Sequence, residues 1–100
     1  MDELSLPIKS DDRSSTRMKI TVKYFASIRE AMGISSESVD TSAITLAALR
    51  DGLIARGEPY AHCLARGKTL RMAQNQVMAA EDATLVDGAE VAFFPPVTGG

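Results

Sequence analysis

Thr45-Leu46-Ala47-Ala48-Leu49-Arg50-Asp51-Gly52-Leu53-Ile54-Ala55-Arg56-Gly57 is the stretch whose reading decides the fold. Thr45 has the side chain of an N-cap. Leu46, Leu49 and Leu53 recur at helical spacing with Ile54 beside them, so the segment reads as a helix with one apolar stripe. Arg50 and Asp51 are expected to face away from that stripe. Gly57 stops the helix and Pro59 prevents its return. Gly52 inside it costs about 1 kcal/mol relative to Ala. This is the one strong helix of the chain, and its apolar stripe needs a surface to cover it.

The segments on either side offer strands. Met18, Ile20, Val22 and Tyr24 alternate with Lys19, Thr21 and Lys23, the pattern of a half-buried strand. Phe25 falls on the lysine side. It either turns inward at the strand end or stands exposed with a role. Ser27–Met32 reads as a short helix stopped by Gly33, and Ser36–Asp40 as a weak, polar edge strand. Downstream, residues 59–66 carry no assignable pattern. Lys68–Met72 alternates, with Leu70 and Met72 on one side. Asn75-Gln76 is a tight turn before a short returning strand at Val77-Met78. Glu81–Leu85 is a loop or helical turn, and Asp87-Gly88 turns the chain into a last strand. There Val91 and Phe93 share one face, and Ala92 and Phe94 the other. The order is β-α-β-α-β-β-β. A mixed sheet with the main helix across one face buries every apolar face, which is an α+β fold of the β-grasp, ubiquitin-like kind.

Length and composition limit the rest. One hundred residues make one small domain, and folding at this size hides only ~60–65% of the unfolded surface. The single cysteine, Cys63, excludes an internal disulfide and points to a reducing compartment. No run is long enough to span a bilayer. The first residues lack the apolar centre of a signal peptide. A cytoplasmic location is expected, with no membrane partner. Residues 1–17, rich in Ser, Asp and Arg, read as a disordered extension, and Met18 is an alternative start. The domain itself spans 18–94.

Charge is unevenly spread. Residues 72–100 hold Glu81, Asp82, Asp87 and Glu90 without a Lys or Arg, and all eleven basic residues lie in 1–71. That excludes nucleic acid as the partner of the C-terminal part and favours a protein with a basic surface, unless the acids are ordinary turn residues.

No side-chain active site is legible. His62 and Cys63 are adjacent, but neighbours diverge by about 100° on a helix and oppose each other on a strand. No metal-ligand spacing is present, so no metal is expected. Glu81 and Asp82 carry no mark of an acid–base pair. The end of the chain differs. Pro95 and Pro96 stop sheet pairing and favour an extended exit. Residues 95–100 then form a flexible tail that reaches ~20 Å. Gly99 and Gly100 have no Cβ, so a partner can close tightly on their backbone. Activation of the Gly100 carboxylate as an acyl-adenylate, followed by sulfur attack, would yield a thiocarboxylate. Phe94 and Phe25, with the adaptable Met78, are candidates for an exposed apolar patch beside the tail.

These residues carry a resemblance. Val22-Lys23-Tyr24-Phe25-Ala26 with Ile28-Arg29-Glu30, Thr45 with Ala48-Leu49-Arg50, Ala73 with Asn75-Gln76, Asp87-Gly88 and Glu90-Val91-Ala92-Phe93-Phe94-Pro95-Pro96-Val97-Thr98-Gly99-Gly100 occur in the order of the MoaD family. The chain resembles these sulfur-carrier (small) subunits of molybdopterin synthase over about residues 18–100. The resemblance implies a β-grasp fold and adenylation of Gly100 by a MoeB-like enzyme, with ATP consumed and no permanently bound cofactor. It implies a thiocarboxylate on Gly100 that supplies sulfur to cyclic pyranopterin monophosphate in molybdenum cofactor biosynthesis. It implies a heterotetramer with a MoaE-like large subunit that holds the catalytic side chains. Phe25, Met78 and Phe94 fall at the family's interface positions; Pro95, Pro96, Val97, Thr98 and Gly99 are the tail to be recognised. Sulfur delivery to thiamine or another pathway, a ubiquitin-like modifier, and a non-catalytic interaction module remain alternatives.

Overall fold

The computed structural model describes residues 17–96; the expectations for residues 1–16 and for Val97, Thr98, Gly99 and Gly100 lie outside the described residues. Eight elements follow one another: β1 (Met18–Tyr24), α1 (Ala26–Met32), β2 (Ser36–Thr41), α2 (Leu46–Ile54), α3 (Tyr60–Cys63), β3 (Arg71–Gln74), β4 (Val77–Ala79) and β5 (Glu90–Phe94). The strands form one five-stranded sheet in the order β2-β1-β5-β3-β4. β1 and β5 are parallel neighbours at its centre, and the other pairs are antiparallel. This is the mixed β-grasp sheet expected from the pattern.

The sheet buries one face against α2. Ile20, Val22 and Tyr24 of β1, Val91 and Phe93 of β5 and Met72 of β3 meet Leu46, Leu49 and Leu53 of the helix, all nearly inaccessible. Each such apolar side chain contributes about 1.5–3 kcal/mol on burial. Tyr24 and Phe93, paired across β1 and β5, stack with ring centroids 6.2 Å apart.

Local chemistry sets the element ends. The Thr45 side chain accepts from the Ala48 N–H, as expected of an N-cap. The loop after β4 completes the cap: Leu46 N–H donates to the Ala83 carbonyl and Ala47 N–H to the Glu81 carbonyl. Three first-turn donors that a helix leaves without partners are thereby satisfied. Gly33 closes α1 at φ +83°. Asn75 and Gln76 both adopt positive φ, 51° and 70°, the twist that suits a two-residue hairpin between β3 and β4.

Three expectations change. Residues 59–66 contain a short helix, α3, that places Cys63 and Leu64 in the core. β3 begins at Arg71 rather than Lys68, because Lys68 N–H closes a turn onto the Ala65 carbonyl. Arg50 does not face away from the core: it is 2% exposed. Its Nε donates to the Leu64 carbonyl at 2.8 Å, and its Nη2 to the carbonyls of Ala65 (2.6 Å) and Lys68 (3.1 Å). Nη1 meets the Glu81 carboxylate at 2.6 Å. Position 50 lies four residues after Leu46 and three before Leu53, which is the helical spacing of the apolar stripe itself. The expectation that Arg50 faces away is therefore corrected: its position on the stripe buries it, and the carbonyls and Glu81 compensate its charge.

Candidate functional site

Among the described residues, no helix lies on the sheet face opposite α2. Strand parity puts Lys19, Thr21 and Lys23 of β1 there, and Phe25 continues the series. Pairing then defines rows across the sheet. Lys23 is opposite Ala92, Ala92 opposite Ala73, and Ala73 opposite Met78. One step toward the tail, Arg71 is opposite Phe94. The next step of the β1–β5 register sets Phe25 beside Phe94, held by the Phe25 N–H donating to the Phe93 carbonyl.

The apolar side chains on this face are Phe25, Phe94 and Met78, with the buried Ala92 and Ala73 between them. Phe25 is 43% and Met78 60% exposed, while Phe94 is half-buried. Of the two readings open for Phe25, the structure selects the exposed one. Ala26, at φ +56°, takes the chain into α1 immediately after it. Pro95 and Pro96 follow Phe94 without pairing, so the tail leaves the sheet directly from this patch.

The charges around it are mostly spent internally. Glu81 pairs with Arg50 and with Arg66, and Arg66 also takes Asp51. Asp87 accepts from the Lys19 N–H, and Glu90 pairs with Lys23 at 3.6 Å. Three of the four acids of the C-terminal stretch therefore brace the fold, the ordinary alternative raised above.

His62 and Cys63 do not form a reactive pair. His62 is exposed, with Nε2 3.5 Å from Lys68 Nζ, whereas Cys63 is 5% exposed in the core. Burial pushes the Cys63 thiol above its ordinary range, the reverse of what a nucleophile needs. Both line a cleft of about 280 Å³ with Ile28, Leu70 and Pro95, beside the tail root. Among the described residues, no group of three or more His, Cys, Asp or Glu could hold a metal ion, and no helix is long and apolar enough to cross a membrane.

A ubiquitin-like β-grasp domain, whose last strand runs past an apolar sheet face into Pro95 and Pro96, is the class that fold and surface define. The family model described as the ThiS family matches residues 22–100, and the chain belongs to that family. It is 44% identical over 81 residues to the molybdopterin synthase sulfur carrier subunit of Escherichia coli, covering 81% of this chain and 99% of that one. Two solved structures share the fold. SAMP1 from Haloferax volcanii, a small archaeal modifier protein, has a TM-score of 0.65 at 26% identity, over 82% of this chain and 99% of that one. The complex of subunits 1 and 2 of the molybdopterin-converting factor from Helicobacter pylori contains a chain with a TM-score of 0.55 at 27% identity, over 83% and 100%.

Proposed function

We propose that this chain is the sulfur-carrier subunit of molybdopterin synthase and that sulfur travels on the carboxylate of Gly100. The observation that carries the proposal is the coincidence of an uncovered apolar face at Phe25, Phe94 and Met78 with a Pro-Pro exit from the same strand. The 44% identity to a sulfur carrier subunit supports it. So does the likeness to one chain of a two-subunit molybdopterin-converting factor.

The chemistry follows from the weakness of a carboxylate as an electrophile. A MoeB-like enzyme joins the Gly100 carboxylate to the α-phosphate of ATP, and pyrophosphate leaves. Sulfide attacks the acyl carbon, AMP leaves, and a thiocarboxylate remains. With a persulfide donor, a thiol must then cleave the S–S bond. A MoaE-like large subunit seats the patch, draws in Val97, Thr98, Gly99 and Gly100, and supplies the side chains that move sulfur to cyclic pyranopterin monophosphate. This chain contributes docking, reach and delivery.

The test is intact mass after incubation with the adenylating enzyme, ATP and a sulfur source. An oxygen-for-sulfur shift on the full chain, absent when Gly99 and Gly100 are deleted, is the expected result; an unchanged mass on the full chain refutes the proposal. The likeness to SAMP1 favours one second reading, a ubiquitin-like modifier. Under that reading the same incubation with cell extract yields conjugates of this chain to lysines of other proteins.

A further inference from the structure

We infer that the partner surface receiving Phe94 presents a carboxylate to Arg71, so that the apolar socket has an acidic rim; this rests on the carrier reading above. Charge distribution along the chain points the other way, to a basic partner, because residues 72–100 are acidic. The fold weakens that expectation. Glu81, Asp87 and Glu90 are engaged with Arg50 and Arg66, the Lys19 backbone and Lys23, and only Asp82 of the four is exposed without a partner among the described residues.

Among the described residues, the charges of the strands on the open face fall in ion pairs, except one. Lys19 lies 3.9 Å from Asp40, and Lys23 lies 3.6 Å from Glu90. Arg71 is exposed and, among the described residues, makes no ion pair and no side-chain hydrogen bond. It sits directly opposite Phe94 across the β3–β5 pairing, one strand spacing away, about 5 Å. A surface that covers Phe94 therefore strips water from Arg71 as well.

Arg71 brings a positive charge and five N–H donors into that interface. Left unpaired in an interface it opposes binding, so the partner must supply an acceptor. Its planar fork suits a carboxylate held through two N–H donors. A basic surface is excluded at this position by like-charge repulsion. Arg71 thus acts as a specificity determinant. Phe25, Phe94 and Met78 suit any apolar socket, whereas Arg71 favours one with an acidic rim. Charge of this kind acts chiefly on the rate of encounter and on rejection of wrong partners.

Association kinetics with the purified large subunit from the same organism test this, using the full chain and the variants Arg71→Glu, Arg71→Gln and Phe94→Ala. The expected result is an association rate lowered about tenfold or more in Arg71→Glu and less in Arg71→Gln. The difference should collapse near 1 M salt, where the screening length is about 3 Å. Arg71→Gln and the salt slope of the wild type decide the matter even if Arg71→Glu unfolds. Loss of binding in Phe94→Ala with unchanged or faster association in the Arg71 variants overturns the acidic rim and leaves the docking face standing. Unchanged binding in Phe94→Ala overturns the docking face itself, and the rim with it.

Discussion

Arg50 and Phe94 show how much one residue's meaning depends on its surroundings. Arg50 sits on the apolar stripe of a helix, and its charge is tolerated because three backbone carbonyls and Glu81 converge on it. Those carbonyls belong to residues 64–68, so one side chain ties α2 to the connection that leads into β3. Arg50→Leu is expected to cost about 2–4 kcal/mol of unfolding free energy in urea titration, because it leaves buried acceptors and Glu81 without their partner. A loss below about 1 kcal/mol would show the network to be dispensable. Phe94 is the opposite case. It is half-buried on a face with no covering helix. Phe94→Ala should therefore cost less than about 1 kcal/mol of stability while weakening large-subunit binding about tenfold or more. The two are measured by urea unfolding and by titration calorimetry, and a stability loss larger than the binding loss contradicts the docking role.

At the scale of elements, α2 was the most legible part of the chain and α3 the least. Three leucines at helical spacing and a Thr cap agree with one another, and the helix starts at Leu46 as they imply; it ends at Ile54, before the expected stop at Gly57. The four-residue α3 is too short to show a period, and it is held by tertiary contacts: Leu64 has no exposed surface, and the Tyr60 hydroxyl donates to Glu37 on β2. Gly52 is the weak point of α2. A Cβ built there meets nothing within 4 Å. Gly52→Ala should therefore raise stability by about 0.5–1 kcal/mol, read as a higher urea midpoint with large-subunit affinity unchanged. A fall in stability would mean that the glycine serves some purpose beyond helix geometry. Gly88 is different: at φ +81° an alanine there is strained however open the space.

For the molecule as a whole, the acid–base behaviour follows from what the sheet and α3 bring together. Tyr24 and Tyr60 both donate to the Glu37 carboxylate, at 2.7 Å and 2.8 Å. Burial first, and then the carboxylate, push both phenols above their ordinary value. Burial does the same to the Cys63 thiol. Groups whose folded pKa is raised stabilise the fold fully below the unfolded value and lose that contribution as pH rises through the folded one. The urea midpoint should stay level from about pH 6 to 8. It should begin to fall above about 8.5, where unfolded cysteine titrates, and steepen above about 10, where unfolded tyrosine does. Tyr24→Phe should reduce the upper slope; an unchanged slope would remove Tyr24 from this account. What the sequence determined by itself was whatever depends on local period and local chain chemistry. That covers the β-grasp order, the caps and turns, and the parity that sends Phe93 inward and Phe94 outward. What only the tertiary structure decided was which charges find one another. Glu81 and Arg50 are distant in the chain, as are Glu90 and Lys23, and their attraction falls steeply with a separation that only the packed sheet and helix set. On the open sheet face that pairing leaves Arg71 as the one charge without an ion pair among the described residues.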